Sequence, residues 1–431
     1  MKILLATPSS NISYSKLRRG IYPIWPPMTL HQLEAVTPKK HDIELICEDN
    51  KKIHFYKDYD VVGVSYYTAT ANRAYEIADQ FRENGTKVVL GGYHASALPS
   101  EAKQHADAVV IGEAEETWPQ LLNDIENNRF KKFYSSEEPV DINNIPNPTL
   151  TKTPSLFNVG SIQATRGCPF ECEFCAISNI KFGKLYRKKS VDKVINEIEN
   201  IPYKYFVFYD GSITVDLDYA KDLFKRIKGL DKKFTAFGHA NMVKDEEFLK
   251  LASEAGCIAW DIGFESIYQT TLDKLKKKAN IVKEYGQVAK KLHEYGMSVV
   301  GSFIFGFDDH TTDVFDETFE ALKRWDIDSV GATILTPLPG TKLYDRMKKE
   351  NRLLTNDWSK YDMCHVVFEP KKMTSEELYC GTRRFIKEYF SSKNLFYRLI
   401  NNSKNLGLIS SIGINYYLLN SRTLFKSIYG L

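Results

Sequence analysis

Cysteine is scarce in this chain: seven residues in 431, an odd number. That count excludes a disulfide framework of the usual kind and fits a reducing compartment. Long apolar runs are missing too. No stretch approaches the ~18 consecutive apolar residues of a membrane-spanning helix. The opening MKILLATPSS lacks the apolar core and small-residue cleavage site of a secretion signal, so a cytoplasmic protein is expected. Neither sign of charge is in excess. The formal net charge of +3 is too small to imply a nucleic-acid partner. Internal repeats and low-complexity tracts are absent. A composition of 43% hydrophobic and 26% charged residues is that of a globular chain, long enough for about two or three domains.

One further absence is local. Residues 391–431 contain no Asp or Glu, while Lys393, Arg398, Lys404, Arg422 and Lys426 are all cationic, beside apolar clusters such as GLISSIGINYYLL. This stretch is expected either to pack as a helical cap or to face a membrane surface, which would make the protein peripheral to the membrane.

What is present is strand–helix alternation. LLAT near 5, IELI near 45, VVGVSYY at 61–67, VVLGG at 88–92 and AVVIGE at 108–113 read as buried strands. Between them lie helical stretches such as NRAYEIADQFRENG, which stops at Gly85. A doubly wound parallel sheet is predicted over residues 1–130. Residues 131–158, with Pro139, Pro146, Pro148 and Pro154, read as a linker. Alternation then resumes over 159–345, with strands predicted at VGSIQATRGC, YFVFYD, FTAFGH, IAWDIGFE, SVVGSFIFGF and SVGATILTPLPG. Ser190 caps an amphipathic helix in SVDKVINEIENI. Six strand–helix units predict a partial barrel whose chemistry sits at the C-terminal strand ends. Residues 346–431 read as a mostly helical extension.

The scarce cysteines are concentrated in TRGCPFECEFC, which places Cys168, Cys172 and Cys175 within eight positions, just after the first strand of the predicted barrel. Three thiolates on one loop can hold three irons of a cubane cluster and leave the fourth iron open. A structural zinc site is the alternative. It closes with four ligands, and no fourth Cys or His follows at finger-like spacing.

RGCPFECEFC resembles the cluster loop of the radical S-adenosylmethionine enzymes. That resemblance implies a 4Fe–4S cluster held by Cys168, Cys172 and Cys175, with S-adenosylmethionine on the open iron and cleaved to a 5′-deoxyadenosyl radical. It also implies Phe174 beside the adenine, and Asp210 and Gly211 of YDGSIT near the methionine amino group. Relatives often carry two aspartates there, and this chain offers one. Glu265 and Ser266 of IGFES match positions near the ribose or the methionine carboxylate, although a buried salt bridge would also explain Glu265. Gly306 of FIFGF matches the stretch behind the adenine. The basic residue usual after the third strand is not evident in FGHANM, where His239 is a possible substitute.

WPPMTLHQLEAV, VVGVSYYTATANRAYEIA, VVLGGYHASALPSEA and AVVIGEAEETWPQLL, in that order, resemble the cobalamin-binding domain fused to many of these enzymes, in the class B methyltransferase-like subgroup. Ser65, Gly91, Gly92, Tyr93, His94, Gly112 and Glu113 are the implied corrin contacts. The D-x-H-x-x-G motif for cobalt ligation is absent, which leaves His94 as a cobalt ligand or a loop residue, and the domain could keep the fold without the cofactor. DWSKYDMCHVVFEPKKMTSEEL resembles the subgroup's C-terminal extension.

The reaction implied is methylation of an unactivated carbon of an apolar, lipid or tetrapyrrole-like substrate, with methylcobalamin as donor and a second S-adenosylmethionine restoring it. The implied partners are that substrate and an electron donor such as flavodoxin or ferredoxin, with no nucleic acid. Two alternatives stay open: radical ring closure, carbon–carbon coupling or sulfur insertion without methyl transfer, and a non-catalytic cobalamin or redox sensor.

Overall fold

The computed structural model describes residues 1–9, 28–148 and 159–405. The first sheet contains β1 (Lys2–Thr7), β2 (Asp42–Cys47), β3 (Val61–Ser65), β4 (Lys87–Gly91), β5 (Ala108–Ile111) and β6 (Phe133–Ser135) in the order β2-β1-β3-β4-β5-β6. Every pairing is parallel. β1, β3, β4 and β5 are nearly continuous apolar runs because helices cover both faces of the sheet. Two separate cores result. Phe81, Ala74 and Val62 belong to one, and Trp118, Leu5 and Val110 to the other. The strand order reverses between β1 and β3, so a crevice opens at the carboxyl ends of these strands, where doubly wound sheets bind ligands.

β6 lies inside the stretch read as a linker. It pairs with β5 from Val109↔Phe133 to Ile111↔Ser135. Val140, Ile142 and Ile145 beyond it are buried, so the described part of 131–148 is packed structure despite its prolines. Alternating polar residues hid these few apolar anchors. Residues 149–158 lie outside the described residues.

The second sheet contains β7 (Val159–Ile162), β10 (Tyr205–Phe208), β11 (Lys233–Gly238), β12 (Cys257–Glu265), β13 (Ser298–Phe305) and β14 (Ser329–Ile334) in sequential, parallel order. β7 and β14 form its open edges, which makes a partial (β/α)6 barrel. Ser190 caps the helix Val191–Glu199 by accepting from the Lys193 N–H, as its sequence requires. A short antiparallel pair, β8 (Thr165–Arg166) and β9 (Arg187–Lys188), brackets the cysteine loop.

The C-terminal region joins the two units. Trp358, Tyr361 and Val367 pack into the core of the first domain, and Trp358 Nε1 donates to Glu101 at 2.8 Å. The helix Ser375–Tyr389 starts with a Thr374–Glu377 capping box. It covers the barrel through Phe385 against Phe305. The helix Ser392–Asn405 follows. Most of the basic, apolar tail, residues 406–431, lies outside the described residues. Among the described residues no helix is long and apolar enough to cross a membrane.

Candidate active site

The three cysteines sit on the loop between β8 and β9, at the carboxyl end of the barrel. The loop is shaped by its own backbone. Gly167 has φ +87°, and a Cβ there would run into the Leu185 carbonyl. Cys168 N–H donates to Gly183 O at 2.8 Å, and Cys175 N–H to Cys172 O at 3.1 Å. Asn179 Nδ2 donates to Cys175 O at 2.7 Å. Burial pushes the Cys168 thiol up, and the Cys172 thiol up to about 12. Among the described residues no three His, Cys, Asp or Glu side chains converge on one ion. A cubane differs because each of its thiolates binds a separate iron.

Facing the thiols is Lys277, which the sequence reading missed inside the run KLKKKAN. Its ammonium donates to the Glu265 carboxylate and to Gly263 O at 3.2 Å. Burial works against its charge. Glu265 and Cys172 overcome that, and its pKa lies above the ordinary lysine value. Glu265 has φ +64° at a register shift between β12 and β13. Positive φ at a non-glycine residue is a mark of functional or tightly imposed geometry. His239, after β11, accepts or donates at Nδ1 with Ser212 Oγ at 2.7 Å and lies 4.6 Å from the Phe170 ring. Burial and the Lys277 charge push its pKa down to about 4, so the ring is neutral. On the opposite side Phe174 meets Phe307 edge-on at 6.0 Å. Ser266 Oγ contacts His310 Nε2 at 3.1 Å and accepts from the Tyr268 N–H at 3.1 Å.

Several of the expected contact residues have partners within the chain. Asp210 accepts from Thr165 N–H, from Thr165 Oγ1 at 2.6 Å and from Ala164 N–H at 3.4 Å. Its carboxylate anchors the start of the cysteine loop, and burial pushes its pKa up to about 6. Gly306, at φ +102°, is small because Leu378 and Phe368 of the C-terminal region crowd it, at 2.8 and 3.1 Å from a built Cβ. His94 is fully buried, with Nδ1 on Thr68 Oγ1 at 3.2 Å and Nε2 on Glu101 at 3.3 Å. It lies outside the lining of the main cavity.

That cavity, about 780 Å³, opens between the carboxyl edge of the first sheet and the cysteine loop. Ser65, Gly91, Gly92, Tyr93, Gly112 and Glu113 line one side, and Gly167, Ile177 and Gly211 the other. Gly211 lies 3.5 Å, from a built Cβ, to Cys168 Cβ. Tyr93 bridges the domains, its hydroxyl donating to Pro339 O at 2.8 Å. Burial and the nearby Cys175 raise its pKa. The cradle suits a large flat ligand. Gly92, at φ +97°, lies so close to the backbone that a Cβ would meet Tyr66 O at 2.5 Å, and Gly63 leaves room beside Leu5 and Trp118.

Residues 162–322 match the Radical SAM superfamily, 25–122 the B12 binding domain, and 341–427 a domain of unknown function, DUF4070. The bacteriochlorophyllide d C-8(2)-methyltransferase of Chlorobaculum tepidum is 33% identical over 91% of each chain. The bacteriochlorophyllide d C-12(1)-methyltransferase of the same organism is 30% identical over 86% of this chain and 84% of its own. The chain belongs to the cobalamin-dependent radical S-adenosylmethionine methyltransferases. Its fold matches that of TsrM from Kitasatospora setae, solved with cobalamin and a [4Fe-4S] cluster, at a TM-score of 0.70 and 15% identity over 98% of this chain and 99% of that one. The cofactors of this methyltransferase family are the 4Fe–4S cluster, S-adenosylmethionine and cobalamin.

Proposed function

We propose that this methyltransferase acts on an unactivated carbon of an apolar substrate, tetrapyrrole-like or lipid. One observation carries the reading: a single cavity reaches from the glycine cradle of the first sheet to Gly211 behind Cys168. Two relatives of similar length that are named as tetrapyrrole methyltransferases support the substrate class. With its cofactors bound, the site supplies a radical that removes hydrogen from carbon and a methyl group to replace it.

The chain's own residues then have separate tasks. Cys168, Cys172 and Cys175 hold the cluster. Lys277 supplies the buried positive charge that the third strand lacks, suited to the carboxylate of S-adenosylmethionine. Phe174 and Phe307 offer an aromatic wall to the adenine. His239 stays neutral and keeps a ring nitrogen at the barrel mouth. Ser65, Gly91, Gly92, Tyr93 and Gly112 shape the corrin side.

The cluster requires a one-electron donor of the flavodoxin or ferredoxin kind. The helix Ser392–Asn405 exposes Phe396 (65%), Tyr397 (58%) and Ile400 (39%) on a segment without acidic residues. That surface suits contact with a lipid headgroup layer, where apolar substrates concentrate.

The test uses protein reconstituted with iron, sulfide and cobalamin, under strong reduction, given methyl-labelled S-adenosylmethionine with tetrapyrrole and lipid extracts. The expected result is 5′-deoxyadenosine together with one labelled methyl in a product. Failure to form 5′-deoxyadenosine refutes the reading. Each Cys→Ser variant at 168, 172 or 175 should lose the cluster's visible absorption.

A further inference from the structure

The loop that carries the thiols is drawn together at its base. β8 and β9 run antiparallel with Arg166 directly opposite Arg187, and residues 167–186 lie between them. Two like charges across a strand pair repel. The charge that holds them together comes from the other domain. Glu113 Oε1 accepts from Arg166 Nη1 at 3.0 Å and from Arg187 Nη2 at 2.6 Å, and its Oε2 accepts from Arg187 Nη1 at 2.9 Å. Glu115 Oε1 accepts from Arg166 Nη2 at 2.7 Å. Val140 N–H donates to Glu113 Oε2 at 2.9 Å, and Arg187 Nη1 donates to Val140 O at 2.8 Å.

These groups are shielded. Side-chain exposure is 20% for Arg166, 14% for Arg187, 12% for Glu113 and 8% for Glu115, unlike the exposed pairs that contribute little. Burial opposes ionisation of Glu113, but the bonds from Arg187 and the charge of Arg166 overcome it and hold the carboxyl below its usual range. Glu113 also follows Gly112 directly, and Gly112 lines the cavity. One carboxylate therefore ties the last turn of the cradle to the neck of the thiol loop. Tyr93 and Trp358 also join the domains, but to Pro339 and Glu101, away from that neck.

We propose that Glu113, Arg166 and Arg187 form a positioning clasp that fixes the cofactor cradle relative to the thiol loop. The clasp rests on the functional reading above. Hydrogen removal and methyl delivery must reach one carbon from two cofactors held by two domains. A misplacement of about 1 Å in such a geometry can cost ~10²-fold in rate.

The test uses the full-length protein reconstituted with its cluster and loaded with hydroxocobalamin reduced to cob(II)alamin. The relaxation of the cob(II)alamin electron-spin signal beside the reduced cluster reports their separation. Glu113→Gln should keep the cluster absorbance and bound corrin, yet show relaxation enhancement changed severalfold from wild type. Arg187→Lys, which keeps the charge but loses the two-pronged contact, should shift it in the same sense and by less. Should Glu113→Gln fail to fold, Arg187→Lys carries the test. Unchanged relaxation in the variants that fold overturns the clasp alone, as does parallel loss of cluster and corrin, which would mark a merely structural role. Wild-type protein that takes up a cluster but no corrin overturns the functional reading, and the clasp with it.

Discussion

Replacing Lys277 with Met keeps most of the side chain's length, one atom shorter, and removes its charge. The structure sets the expected magnitude. Lys277 and Glu265 are only 12% and 11% exposed, and Glu265 is held at φ +64°, a conformation that costs ~1–3 kcal/mol and persists only where its surroundings impose it. Removing one partner of such a pair leaves a buried carboxylate without its cation, at a cost of ~3–5 kcal/mol. Most of that is desolvation of the orphaned charge, so Lys277→Met combined with Glu265→Gln should lose less than Lys277→Met alone. The two sites touch, and a coupling of ~1–3 kcal/mol is expected from the double-mutant cycle. Urea unfolding of the cluster-free protein measures these effects with no cofactor present. S-adenosylmethionine binding to the reconstituted protein then separates the two roles of Lys277, with at least tenfold weaker binding expected for Lys277→Met. A loss of stability below ~1 kcal/mol would refute the pairing argument. Wild-type binding in the variant would show that Lys277 serves the fold alone.

Gly92→Ala should abolish retention of cobalamin while leaving the cluster's absorption intact, because the added Cβ meets rigid backbone of Tyr66 rather than a side chain that can yield; spectral titration of both cofactors checks it. His310, buried and neutral, has its pKa pushed by burial from 6.5 down to about 4. The unfolded chain therefore binds more protons between those values, so stability falls as pH drops from 6.5 towards 4, by as much as ~3 kcal/mol at ~1.4 kcal/mol per unit. His310→Gln should flatten that fall, and equal slopes for both proteins in urea unfolding across this window would contradict it. Sedimentation with vesicles of phosphatidylcholine and phosphatidylglycerol should capture the full chain. Phe396→Ser with Tyr397→Ser should weaken capture more than tenfold, since burying each ring is worth ~1.5–3 kcal/mol; unchanged capture would exclude this helix as the contact.

The strands were legible because β1, β3, β4 and β5 are apolar on both faces, a signal that survives without any knowledge of their neighbours. The thiol loop was legible because its spacing alone defines it. What stayed hidden were partners distant in sequence. Lys277 sits among five lysines between 274 and 283, a run that reads as a solvated face until the fold turns one member inward. Asp210 stands at a strand end, as a ligand contact would, and only the fold shows that it also accepts from Ala164 and Thr165, just past the neighbouring strand β7. Gly306 matched the stretch expected behind the adenine, and Phe368 together with Leu378 of the helix Ser375–Tyr389 crowds the place where a Cβ on it would stand.

A common physical reason links these reassignments. Asp210, Glu113 and His94 each stand close to the expected cofactor positions, and each has its polar atoms bonded to other parts of the chain. An ionised or polar group left unpaired against a large, weakly polar ligand would lose its water without compensation. Gly63, Gly91, Gly92, Gly112, Gly167, Gly183 and Gly211 line the cavity among larger side chains such as Tyr66, Tyr93, Trp118 and Ile177, while the lining charges Glu113, Glu115, Arg166 and Arg187 pair with one another. The glycines among these offer the least side chain to read in a sequence, and the charged residues beside them act by holding two domains at one separation. On that logic, substitutions at the rim charges should alter cofactor geometry before they alter cofactor affinity, and substitutions at the glycines should do the reverse.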